Sequence, residues 1–118
     1  MPTQSRLVIH DDGEIVKVEF LDRNILDEAN IQQIGDEISS LIESATNPKL
    51  LLSFEKVEHL SSAALGTLIT INNKIRQKGG QLRLASIDKQ IYEVFVITKL
   101  NKLFQIHPTN DQALKSFK

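Results

Sequence analysis

Two adjacent serines, Ser61 and Ser62, with His59 just upstream, are the residues whose types and spacing invite chemistry. They lie in Val57-Glu58-His59-Leu60-Ser61-Ser62-Ala63-Ala64-Leu65-Gly66. The apolar run Leu50-Leu51-Leu52-Ser53-Phe54 precedes this stretch, and a helical pattern follows it. A helix N-terminus leaves backbone N–H groups free and carries partial positive charge. A serine there is a natural cap, and a phosphate there is electrostatically welcome. Histidine beside serine also raises nucleophilic catalysis. However, no acidic third member is evident and no G-x-S-x-G turn occurs, so acyl transfer is not expected. His10, His59 and His107 show no metal-ligand spacing, so no metal site is expected. Gly79-Gly80 lacks the following Lys-Ser/Thr of a Walker loop. The carboxylates are scattered over polar faces. The expectation is a chain that is not an enzyme, with no catalytic residues and no cofactor.

The composition narrows the class further. At 118 residues the default is a single domain spanning 1–118. Such a chain buries roughly two-thirds of its unfolded surface, enough for one core. A net charge of −1 gives no drive toward nucleic acid or an anionic membrane. An aromatic content of 5% argues against a base-stacking surface. With no cysteine, thiolate chemistry and disulfides are out. The first residues lack the apolar core of a signal peptide, and no apolar run approaches ~18 residues. A cytoplasmic protein without membrane insertion is expected, as a monomer or weak dimer.

The elements that must position the serines follow from periodicity. Leu7-Val8-Ile9-His10 reads as a strand, Asp11-Asp12-Gly13 as a hairpin turn, and Glu14 to Phe20 as an alternating second strand. Leu21 to Glu28 reads as a polar loop, with Asp27 as cap for a helix. That helix carries Ile31, Ile34, Ile38, Leu41, Ile42 and Ala45 on one face and ends at Asn47-Pro48. Lys49 to Phe54 reads as a strand covered on both faces. A helix from about Ser62 to Lys78 has Ala64, Leu65, Leu68, Ile71 and Ile75 inward, with Gly79 as its closing glycine. Gln81 to Ala85 alternates as a strand. Ser86 or Asp88 caps a third helix with Ile91, Val94, Phe95 and Thr98 on one face. Leu103 to Ile106 reads as the last strand, and Thr109 to Gln112 as a capping box opening a final helix with Ala113, Leu114 and Phe117. The order β-β-α-β-α-β-α-β-α predicts an α/β fold: a mixed sheet with an N-terminal hairpin and about four helices. The expected core is Val16, Val18, Ile34, Ile38, Leu41, Leu50, Leu52, Leu68, Ile71, Leu82, Leu84, Phe95 and Leu103. Gly66 sits mid-helix at a cost of up to ~1 kcal/mol against alanine. Close approach of that helix to the sheet is the favoured explanation, and a surface left bare for a partner is the other.

Four stretches together resemble a STAS domain of the bacterial anti-sigma factor antagonist family. Val57 to Gly66 is similar to the family's V-x-F-[ILM]-D-S-S-G-L-G. Gly79-Gly80-Gln81-Leu82-Arg83-Leu84-Ala85 is similar to G-G-x-L-x-L-x. Val94 to Phe104 is similar to V-L-x-L-T-G-L-D-x-L-F, and Asp111-Gln112-Ala113-Leu114 to E-x-A-L. The resemblance implies a STAS fold and a partner-switching module. Such a module binds an anti-sigma serine kinase, is phosphorylated by it, and is reset by a cognate phosphatase. The acceptor position falls on Ser62, with Ser61 as second choice. His59, Leu60, Ser61, Ser62, Ala63, Leu65 and Gly66 then form the partner-binding stretch. The family aspartate falls on Ser61, the second serine on Ala63 and the glycine on Ala64. Ser61 can still cap the helix but supplies no fixed negative charge. Two other readings stay open: a STAS scaffold or transport-accessory protein that binds without phosphorylation, and a nucleotide- or anion-binding module using the helix N-terminus.

Overall fold

A computed structural model describes residues 7–11 and 14–117. Strands β1 (Leu7–Asp11) and β2 (Ile15–Phe20) pair antiparallel, with Leu7 opposite Phe20 and Asp11 opposite Val16. The turn expected at Asp11-Asp12-Gly13 lies, at Asp12 and Gly13, outside the described residues. The chain continues through β3 (Asn24–Ile25), α1 (Glu28–Glu43), β4 (Lys49–Ser53), β5 (His59–Leu60) and α2 (Ser62–Gln77). It ends with β6 (Gln81–Ala85), α3 (Lys89–Ile97), a 3-10 turn at Leu100–Lys102, β7 (Gln105–His107) and α4 (Asn110–Ser116). The main sheet runs β1-β2-β4-β6-β7, parallel in every pairing after the first. This is the α/β architecture expected from the sequence, a mixed sheet with an N-terminal hairpin and four helices.

The register explains the layers. Val16, Leu50 and Leu82 are paired across the sheet, as are Val18, Leu52 and Leu84. These rows face α1, α2 and α3, whose Ile34, Ile38, Leu68, Ile71 and Phe95 complete one core. The alternate residues Leu51 and Ala85 face α4 through Ala113, with Ile15, Leu114 and Phe117 at the margin. Strand β4 is apolar at consecutive positions because a helix covers each face. Arg83, in the row between, is buried. Its Nε donates to Ser116 Oγ at 2.9 Å, one terminal nitrogen to Gln81 Oε1 at 2.9 Å, the other to Leu82 O at 3.1 Å. Its guanidinium stacks on Phe117 at 5.0 Å.

Several expectations need correcting. Residues 21–28 are not wholly loop, because Asn24–Ile25 pairs parallel with His59–Leu60 as a second, two-stranded sheet. Leu103 is exposed, and Phe104 takes the core position, edge-on to Phe95 at 5.9 Å. The 3-10 turn shifts the last strand to Gln105–His107. Val16 and Leu41 are only partly buried, and Val94 on α3 and Thr98 at its C-cap are exposed. Gly66 is exposed, and a Cβ built there meets nothing within 4 Å. The close approach is at Gly35 instead, where a Cβ would stand 3.0 Å from Thr67 Cγ2 on α2. Gly79 does close α2, at φ +71, with its N–H bonded to Arg76 O and that of Gly80 to Ile75 O.

Candidate functional site

The serine pair sits where β5 hands over to α2, and the junction is held from two sides. Beneath it, Val57 is buried and donates its N–H to Phe54 O at 3.0 Å. Beside it, Glu58 N–H and His59 N–H both donate to Arg23 O, at 2.7 and 3.0 Å, and Ser61 N–H donates to Ile25 O at 3.1 Å. The Arg23 and Glu58 side chains form an exposed ion pair at 3.5 Å. The backbone entering α2 is therefore fixed by tertiary hydrogen bonds.

Ser61 is the N-cap of α2. Its backbone is extended, at φ −86 and ψ 167, and its Oγ accepts from Ala64 N–H at 3.2 Å. Ser61 O also takes the Leu65 N–H at 3.2 Å. Ser62 is the first helical residue and is exposed. Among the described residues no hydrogen bond engages its hydroxyl, its backbone N–H or that of Ala63. The first turn of α2 contains no acidic residue, unlike those of α1 and α4, which hold Glu28 and Asp111. Positive potential at this helix end is thus uncompensated by its own first turn.

Of the stretch singled out in the sequence, His59, Ser62, Ala63 and Gly66 are exposed, Leu60 and Ser61 half-buried, and Leu65 buried. Leu60 and Leu65 still reach the surface as walls of a depression of about 220 Å³, opposite Ile91 and Val94 of α3, with Glu58, His59 and Gln90 at its rim. The α3 wall and the backbone of Arg23 and Ile25 escaped sequence reasoning. The other histidines lie elsewhere: His10 on β1, 3.8 Å from Glu19, and His107 on β7, its Nε2 buried without a partner among the described residues. Among the described residues no three His, Asp or Glu side chains gather as a metal site, and no helix is long and apolar enough to cross a membrane. Burial pushes the Arg83 guanidinium below its usual pKa, but Arg83 lies under α4, on the opposite sheet face from α2.

The family model described as the STAS domain matches residues 18–113. The chain is a STAS domain protein. Among its relatives is BtrV of Bordetella bronchiseptica, by its name a candidate anti-sigma factor antagonist. The two are 23% identical over 96 residues, covering 81% of this chain and 82% of BtrV. Solved STAS structures share the fold. An anti-sigma factor antagonist domain from Planctomyces limnophilus superposes with a TM-score of 0.84 at 19% identity, covering 97% of this chain and 98% of that one. The phosphorylated form of the Bacillus cell fate determinant SpoIIAA superposes with a TM-score of 0.70 at 17% identity, covering 92% and 96%. The β5–α2 junction lies inside the matched segment of this STAS domain.

Proposed function

We propose that this STAS domain is an anti-sigma factor antagonist that switches partners through phosphorylation of Ser62. In its unmodified state it docks the β5–α2 junction, from His59 to Gly66, onto an anti-sigma factor that is also a serine kinase. Docking frees a sigma factor. The kinase brings the ATP and transfers the phosphoryl group to Ser62 Oγ. The phosphate adds about −1.5 to −2 charges at the contact, the complex loses affinity, and a phosphatase resets the switch. The domain acts in the cytoplasm.

One observation carries this reading: Ser62 presents an exposed, unbonded hydroxyl immediately after a cap that Ser61 already supplies. The helix start does not need Ser62 for its own stability, so its hydroxyl is available. The neighbouring free N–H groups and the positive helix end can accept a phosphate without unfolding the domain. The exposed Gly66 one turn on leaves a smooth strip beside the acceptor.

A second reading also has an observation behind it. Ser61, Ala63 and Ala64 replace the family's acid, second serine and glycine, so no fixed charge beside Ser62 helps a kinase recognise it. On that reading the same surface binds a partner as an unphosphorylated scaffold. Incubation with the cognate kinase and radiolabelled ATP, followed by peptide mapping, separates the two. Label on Ser62 that disappears in Ser62→Ala supports the switch. No label at all supports the scaffold, whereas label on Ser61 keeps the switch and moves its acceptor by one residue.

A further inference from the structure

Leu26 is 53% exposed, and the two-stranded sheet sets it beside the acceptor. In the β3–β5 pairing Asn24 lies opposite His59 and Ile25 opposite Leu60. His59 N–H donates to Arg23 O at 3.0 Å, and two residues on, Ser61 N–H donates to Ile25 O at 3.1 Å. The parallel ladder therefore runs one step past the strands and brings Leu26 level with Ser61. Neighbouring strands stand about 5 Å apart. Ile25 is buried, so alternation along the strand turns Leu26 outward, next to the cap and one residue from Ser62. Ala63 and Gly66, also exposed, continue an uncharged surface around Ser62. Leu26 also precedes Asp27, the N-cap of α1. An apolar residue there often packs on the fourth helical residue, here Ile31. Ile31 is buried at 5% exposure, yet more than half of Leu26 is left in water, so such packing does not account for it.

We propose that Leu26 is a specificity-determining docking residue for the kinase, entering an apolar recess beside its active site and holding Ser62 in place. The proposal rests on the phosphorylation reading above. A kinase that reaches Ser62 Oγ must close over the surface around it. A standard interface covers about 800 Å² per partner, a disc of roughly 16 Å radius. A side chain level with Ser61 lies well inside that footprint. Interface centres are poor in charge and their rims are polar. Leu26, Ala63 and Gly66 suit the centre, and the exposed Glu58 and His59 suit the rim. A polar kinase surface over Leu26 would lose its water without gaining a hydrogen bond, so the matching surface is apolar. Leu26 does not touch the reacting atoms. It acts on how tightly and in what position the domain is held, and the transfer itself proceeds without it.

Isothermal titration of the full chain with the cognate kinase, together with initial rates of labelling by radiolabelled ATP, tests this. Leu26→Ala should weaken binding by at least about tenfold. It should raise KM for the domain by a similar factor and leave kcat in place, because the side chain only binds. Leu26→Met should restore most of both. Melting temperature and hydrogen exchange in the first turn of α1 should match the wild type in both variants, since the side chain is exposed. A Leu26→Ala protein that binds and is labelled like the wild type overturns the proposal and leaves Ser62 as the acceptor. Loss of binding that comes with lost protection at the start of α1 also overturns it, because Leu26 would then serve its own helix. A wild type that binds the kinase without being labelled overturns the phosphorylation reading alone, and the Leu26→Ala titration still decides the contact. A wild type that does not bind overturns both.

Discussion

Ser61 and Ser62 are neighbours of the same type, yet the structure gives them different work. Ser61 Oγ is committed to the Ala64 N–H. Ser61→Ala should therefore cost ~0.5–2 kcal/mol in chemical denaturation, whereas Ser61→Asp should keep the cap and gain from the helix dipole. Ser62→Glu should leave the melting temperature nearly unchanged, because the side chain is exposed and an acid suits the first turn. Its effect should appear in partner binding. The cap at Ser61 and the helix start at Ser62 were legible from residue type and position, since the sequence places a strand end and a helix start on either side of the pair. Gly66 teaches the opposite lesson. It stands two residues from the buried Leu68, a rotation of about 200° around the helix, so periodicity already put it outside. The cost of a mid-helix glycine is a poor guide to which way it points. With open space at its Cβ, Gly66→Ala should stabilise by up to ~1 kcal/mol, and Gly66→Val should fold without the overpacking penalty of a core site. A loss of more than ~1 kcal/mol in Gly66→Val would contradict the exposed placement.

Among the elements, α3 and its exit are where the sequence and the structure part. The end of α3 is set by Lys99 in a left-handed conformation that glycine adopts without strain. The family pattern has glycine at this position, and here a lysine occupies it. Lys99→Gly should stabilise the domain by roughly 0.5–1 kcal/mol in denaturant titration. A destabilised variant would mean that the lysine side chain outweighs its own backbone strain. The turn that follows explains why the last strand was misplaced. Leu103 and Phe104 are both large and apolar, and no local period tells which one a 3-10 turn sends inward. The β3–β5 sheet was hidden for a related reason. Two-residue strands are too short for alternation to register, and their partner is more than thirty residues away.

For the molecule as a whole, a mixed sheet with helical crossovers and a β4 covered on both faces were legible from the consecutive apolar positions of β4 and the alternation in its neighbours, whereas the strand order β1-β2-β4-β6-β7 was not. The assignment of α4 to the opposite face does not follow from period alone, because a seven-residue helix presents too few turns. What fixes α4 there is partly Arg83, a buried cation whose described partners are all neutral. Its alternation with Leu82 and Leu84 resembles a solvent-facing position, and only the packing of Ser116 and Phe117 over it changes that. Burial lowers its pKa below the ordinary guanidinium value. The guanidinium stays charged well above neutral pH, so its desolvation penalty is constant across the working range. Stability linked to it would rise with pH only between the lowered folded value and the higher value of the unfolded chain. Arg83→Ala should cost ~1–3 kcal/mol, with faster hydrogen exchange concentrated in α4, through lost hydrogen bonds and lost stacking. Equal protection of α4 in both proteins would show that Ala113 and Leu114 hold the helix unaided.

The central claim is that a phosphate on Ser62 changes docking and leaves the fold intact. Isothermal titration of the cognate anti-sigma kinase with unmodified and with Ser62-phosphorylated protein tests it directly. Affinity is expected to fall by at least about tenfold on phosphorylation, with the two forms melting together. Equal affinity for both forms, or loss of binding accompanied by unfolding of the phosphorylated domain, would contradict it.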